Sequence, residues 1–257
     1  YKKKIHSIEG RVSTFMSSIG HRARQKNLDF KLTRDWFLER LKLGVCEVTG
    51  LEFLYHGDNQ KGRRTNPFSP SVDRVDPFLG YTAENCRLTI LAFNMLKGEA
   101  SDEQVLQVCK NIISKKQSTY KSDPNLINVY SQDHIKFIRR RASNLLKSIK
   151  FRSKKRGVEF SLDQNWIAER LLIGTCEKTN TKFVLDGGSK LRGRLMHPFS
   201  PSVDRIDPTK GYIMENCRLV ISMYNTGKSN SNDQTLTLVA TSVVKNSLKL
   251  LLPPNDT

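Results

Sequence analysis

"NPFSPSVDRVDPFLGYTAENCRLTILAFNMLKG", residues 66–98, returns nearly intact as "HPFSPSVDRIDPTKGYIMENCRLVISMYNTGKS" at 197–229. Asp73 pairs with Asp204, an offset of 131. Upstream, "LDFKLTRDWFLERLKLGVCEVTGLEF" (28–53) matches "VEFSLDQNWIAERLLIGTCEKTNTKF" (158–183), with Cys46 paired to Cys176 at an offset of 130. One residue is therefore inserted in the second copy, between 184 and 197. A repeat of this length means that one unit was built twice. The expected organisation is a first module over 1–114, a polar, proline-containing linker over 115–130, and a second module over 131–257.

Local patterns assign a coarse structure to each copy. Residues 11–26 and 141–156 read as a basic helix. Trp36, Phe37 and Leu41, like Trp166, Ile167 and Leu171, follow the helical period of a second helix that Gly44 and Gly174 end. Short β segments are expected around Cys46–Phe53 and Cys176–Phe183, followed by the basic loops "HGDNQKGRR" and "DGGSKLRGR". Ser101 with Gln104, and Ser231 with Gln234, have the spacing of a capping box that starts a closing helix.

Charge limits the partners. The chain has 43 Lys and Arg against 25 Asp and Glu, a net charge of +18, and the excess is spread over both copies. Self-repulsion of this size favours a polyanionic partner, and nucleic acid is the first candidate. A membrane is not expected, because neither a spanning apolar run nor a strongly amphipathic basic helix is visible. Five cysteines (Cys46, Cys86, Cys109, Cys176 and Cys217) without a CxxC pair argue against both a disulfide framework and a four-thiolate zinc site. Small buried packing is the expected role of the repeated thiols. The expected setting is intracellular, with an organelle as one candidate. The chain begins at Tyr1, which leaves a preceding targeting segment open.

The series S-V-D-R-[VI]-D-P, G-Y, E-N-C-R-L and N-x-x-K resembles the HNH endonucleases of the ββα-metal group. It looks most similar to a phage-type branch in which a C-E-x-T-G segment precedes the motif. The resemblance covers roughly 44–98 and 174–229. It implies an α+β fold: two tandem HNH-like ββα modules flanked by helices. It also implies roles. Asp73 and Asp204 match the metal-binding Asp. Asn85 and Asn216 match a middle Asn that holds the hairpin loop in shape. Asn94 and Asn225 match the second metal ligand, with Lys97 and Lys228 one turn later. The implied metal is Mg²⁺, which suits hard oxygen ligands and would stabilise charge at a scissile phosphate.

The departure lies at the general base. The family's catalytic His is replaced by Arg74 and Arg205. A guanidinium stays protonated and cannot accept a proton near neutral pH, although its planar fork grips phosphate well. Two readings follow. In one, the modules bind nucleic acid with degenerate active sites. In the other, a metal-bound hydroxide or another side chain replaces the base in an active endonuclease. In the first reading, Arg74 and Arg205 are expected to face a carboxylate or a phosphate. His56 and His197 are the candidate substitutes, but neither is repeated. Asp76 and Asp207 precede Pro, and a turn is favoured for them over metal binding.

Phosphate contacts are expected from the recurring clusters Arg22, Arg24 and Lys26, with Arg152, Lys154 and Arg156. The loop residues Lys61, Arg63 and Arg64, with Lys190, Arg192 and Arg194, add to these. So do Arg139, Arg140 and Arg141, together with Arg74, Arg205, Lys97 and Lys228. No sequence-specific base readout and no paired-aromatic stacking platform is visible. The expected partner is nucleic acid, RNA before DNA, with other proteins of a ribonucleoprotein such as an organellar ribosome. The rival function is a metal-dependent DNA endonuclease.

Overall fold

The computed structural model describes residues 7–55, 66–114, 126–185 and 197–247. It is a mixed α+β structure. Among the described residues it holds eight α-helices and two separate antiparallel two-stranded sheets. In the first repeat, α1 (Ile8–Lys26) and α2 (Arg34–Leu43) precede a hairpin of β1 (Pro70–Arg74) and β2 (Cys86–Ile90). Two helices follow, α3 (Leu91–Lys97) and α4 (Asp102–Ile113). The second repeat gives α5 (Gln132–Arg156), α6 (Gln164–Ile173), β3 (Pro201–Arg205), β4 (Cys217–Ile221), α7 (Ser222–Lys228) and α8 (Asp233–Lys245). A short 3₁₀ helix over Leu126–Val129 lies within the expected linker.

The helix boundaries have local causes. Thr33 and Asp163 accept a hydrogen bond from the backbone N–H of Trp36 and Trp166, which satisfies a free donor of the first turn. Gly44 and Gly174 end these helices at positive φ, as the pattern requires. Both basic helices begin earlier than expected, at Ser7 and Ser131 caps. The Ser101–Gln104 capping box forms reciprocally. In the second copy the Ser231 hydroxyl donates to the Lys228 carbonyl, and the helix begins at Asp233. The β segments expected at 46–53 and 176–183 are tight turns closed by single bridges, Val45 to Glu52 and Thr175 to Lys182. They are too short and too tightly reversed to propagate a ladder.

The two hairpins share one register, Asp73 opposite Arg87 and Asp204 opposite Arg218. Every residue of β2 and β4 is buried, because each strand is covered on both faces. In the second repeat Val203, Cys217 and Leu219 join Ile138, Ile149, Trp166, Ile167 and Leu171 in one core. All five cysteines are buried and free. Burial pushes the Cys86 and Cys217 thiols up to about 12, as packing positions require.

The compact units follow different limits from the repeat. One unit joins residues 1–110 with 235–257, and the other is 111–234. In the first, Asn246 of the C-terminal segment donates to the Thr49 carbonyl at 3.1 Å. In the second, Asn111 donates to Thr181 at 3.3 Å. Most of α8 therefore belongs with the first repeat's core. No helix among the described residues is long and apolar enough to cross a membrane.

Candidate nucleic-acid interface

Each hairpin carries its motif Asp inward. Asp73 and Asp204 are both 2% exposed. Directly across the ladder, Arg87 donates to Asp73 at 2.8 Å and reaches Asp102 with its other two nitrogens at 2.8 and 2.6 Å. Arg218 holds Asp204 at 2.8 and 2.6 Å and Asp233 at 2.8 Å. From the other side comes the lysine at the end of the following helix. Lys228 donates to Asp204 at 3.0 Å and to the Arg205 carbonyl. Lys97 donates to the Arg74 and Val75 carbonyls at 2.8 and 3.1 Å and lies 3.5 Å from Asp73. Each motif carboxylate thus sits between a buried guanidinium and a buried ammonium.

This arrangement overturns one expectation and narrows another. Lys97 and Lys228 are 1% and 0% exposed and face inward, so they cannot meet an external phosphate. Arg74 and Arg205 do not face the neighbouring carboxylate. Their guanidinium groups turn outward and donate to the Leu79 and Lys210 carbonyls, both at 2.8 Å. They lie over the Tyr81 and Tyr212 rings at 4.8 and 5.0 Å. Alternation along a strand explains this, since residues next to each other point to opposite faces. Arg87 and Arg218, together with Asp102, Asp233 and Tyr224, are the residues that sequence reasoning missed. Their signal was the R of E-N-C-R-L and an Asp, Asp102 and Asp233, repeated at the same offset of 131 as the motif Asp.

The residues present do not fit a magnesium site. Both oxygens of each motif Asp already face cations, and Mg²⁺ would have to displace them. Asn94 and Asn225 turn their amide nitrogens to Ser71 and Val72, and to Ser202 and Val203, which ties the helix to the strand. Among the described residues no group of three His, Cys, Asp or Glu side chains could hold a metal. Burial raises the proton affinity of Asp73 against the pull of Arg87 and Lys97. Burial acts the same way on the partly exposed Asp233, but there the hydrogen bonds and charge of Arg218 outweigh it and hold the carboxyl well below the usual range.

The remaining motif residues are scaffold. Asn85 accepts from the Asp76 N–H and donates to the Asp76 and Gly80 carbonyls, at 2.9, 3.0 and 2.9 Å; Asn216 repeats all three bonds. Asp76 and Asp207 accept from the N–H two residues on, the geometry of an Asx turn. His197 Nδ1 accepts from the Phe199 N–H, where Asn66 accepts from Phe68. His and Asn therefore do the same turn work, and His197 commits its Nδ1 to it. His56 lies outside the described residues. Glu47 and Glu177 anchor the C-E turn by accepting from the Leu88 and Leu219 N–H groups and pairing with Arg40 and Arg170.

The hairpin loop is docked on the segment that follows the basic helix. Tyr81 donates its N–H to the Asp29 carbonyl and accepts from the Lys31 N–H, and Tyr212 does the same with Glu159 and Ser161, which forms the parallel bridges Phe30–Tyr81 and Phe160–Tyr212. A Cβ on Gly80 would lie 2.9 Å from the Asp29 carbonyl oxygen, and one on Gly211 would lie 2.5 Å from that of Glu159. Only glycine permits this approach. It brings together two groups that are far apart in sequence, because Arg156 at the end of α5 donates to the Tyr212 hydroxyl at 3.0 Å while Arg205 covers the same ring. Arg22, Arg24, Lys26, Lys154 and Arg156 are exposed, and Arg152 is half-exposed. In the Arg139–Arg141 cluster, Arg139 and Arg140 are exposed and Arg141 is half-buried. Lys61, Arg63, Arg64, Lys190, Arg192 and Arg194 lie outside the described residues.

Comparison of the chain with protein-family models, curated proteins and solved structures found no match.

Proposed function

We propose that this chain binds nucleic acid, RNA in preference to DNA, through two HNH-like fingers whose hydrolytic chemistry has been replaced by a grip on phosphate. The observation that supports this best is the buried cluster around Asp73 and Asp204. The position where a nuclease of this kind would seat its metal is filled by internal cations, Arg87 with Lys97 and Arg218 with Lys228. The neighbouring Arg74 and Arg205 are held outward on a tyrosine ring, which fixes the guanidinium before a ligand arrives. Such preorganisation reduces the ordering cost of binding. The net charge of +18 supplies the general attraction. A scaffold role in a ribonucleoprotein follows from binding without cleavage.

Two measurements on one set of proteins test this reading. Wild type, Asp73→Ala/Asp204→Ala and Arg74→Ala/Arg205→Ala are incubated with duplex and single-stranded RNA and DNA in Mg²⁺ and Mn²⁺. Their affinities are then measured across a salt series. The expected result is no cleavage by any of them, a log affinity of the wild type that falls linearly with log salt, and a shallower slope for the double Arg variant. Metal-dependent cleavage by the wild type that disappears in the double Asp variant would promote the endonuclease and end this proposal.

A further inference from the structure

The second unit has a recess of about 610 Å³ lined by His134, Phe137, Phe183, Val184 and Leu185. This volume lies within the range of about 300–1,000 Å³ usual for small-ligand sites. Its aromatic wall is assembled from residues that look unpaired in sequence. Tyr130 and His134 stack at 4.8 Å and 19° from parallel, and Phe137 lies 6.4 Å beyond. All three rings are only half-buried, so the wall is neither core nor free surface.

The first repeat supplies an internal control. Phe53, the counterpart of Phe183, is 5% exposed. Tyr55, the counterpart of Leu185, packs edge-on against it at 6.3 Å and donates its hydroxyl to the Leu41 carbonyl at 2.7 Å. The Arg11 guanidinium covers the other side of the Tyr55 ring at 4.8 Å. Leu185 has neither ring nor hydroxyl; in the second copy Tyr130 supplies the hydroxyl instead, donating to the Leu172 carbonyl at 2.9 Å, and the recess lies beside Leu185.

One cation flanks the wall. The Arg140 guanidinium stands 5.9 Å from the Phe137 centroid, and Lys136, Arg139 and Lys182 are exposed nearby in sequence. A flat aromatic ligand carrying a negative charge complements such a wall and cation. We propose that this recess receives one unpaired nucleobase, stacked on the His134–Phe137 wall, with Arg140 on the adjoining phosphate. The inference rests on the nucleic-acid reading above and adds a ligand class and a site to it.

The test compares a fully paired RNA duplex with the same duplex carrying one bulged 2-aminopurine. Stacking on aromatic side chains is expected to favour the bulged probe by about 5- to 150-fold and to change 2-aminopurine fluorescence on binding. Leu185→Tyr, which installs the first repeat's residue, and Phe137→Ala should each abolish the preference while leaving affinity for the paired duplex unchanged. Equal affinities and an unchanged signal, with the paired duplex still bound, overturn the recess and leave the phosphate grip standing. If neither duplex binds, the phosphate grip fails, and adenosine monophosphate then judges the recess alone. A shift of the His134 ring protons in the wild type that is lost in Leu185→Tyr supports the site; no shift, or one that persists in Leu185→Tyr, overturns it.

Discussion

Replacing Arg218 by Met should be among the most damaging single changes in the second unit. The side chain is 9% exposed and holds two carboxylates at once, Asp204 at 2.6 Å and Asp233 at 2.8 Å. Met matches its hydrophobic stem but donates no hydrogen bond. Asp204, 2% exposed, would keep only Lys228 at 3.0 Å. Asp233 would keep Lys178 at 3.3 Å and the Tyr224 hydroxyl at 2.8 Å. Leaving a buried charge undercompensated costs about 3–5 kcal/mol. With about 4 °C per kcal/mol for a unit of this size, Tm should fall by roughly 12–20 °C. Thermal and urea unfolding measure the loss. The double variant Arg218→Met/Asp204→Asn should not recover it, because the buried Lys228 ammonium then loses its carboxylate in turn, and the double-mutant cycle gives the coupling directly. Wild-type Tm should also be unmoved by millimolar Mg²⁺, since a metal that bound the native state would raise it. A loss below about 1 kcal/mol in Arg218→Met, or a Mg²⁺-dependent rise in the wild-type Tm, would refute the account of the cluster as a built-in substitute for a metal.

Two other outcomes follow. Because Arg218 holds Asp233 below its unfolded proton affinity, this ion pair's stabilisation is complete above the unfolded pKa of about 3.9 and is lost as pH falls toward the depressed folded value. Asp233→Asn should therefore be less stable at pH 7 and show a shallower loss of stability below about pH 4, as read by urea unfolding at each pH. Gly211→Ala places a Cβ 2.5 Å from the Glu159 carbonyl oxygen, so it should cost about 1–3 kcal/mol and weaken RNA binding by separating Arg156 from Arg205; Lys210→Ala, on the exposed loop beside it, should not destabilise the unit.

The sequence by itself determined what is local or repeated. The duplication, the helices with their Thr33, Asp163, Gly44 and Gly174 ends, the Asn85 and Asn216 loop ties and the Asx turns at Asp76 and Asp207 depend on contacts a few residues apart, or on identity between copies. The structure alone decided which charge meets which. Asp73 and Arg74 are neighbours in the chain, yet strand alternation sends one into the core and the other onto Tyr81. Lys97 and Lys228 read as phosphate contacts from their type and spacing, but the packing of α3 and α7 on the hairpins buries both ammonium groups. Likewise His134, Phe137 and Phe183 line one recess only after α5 is laid beside the C-E turn. Burial and pairing are properties of three-dimensional neighbours, and residue type and local spacing carry no record of them.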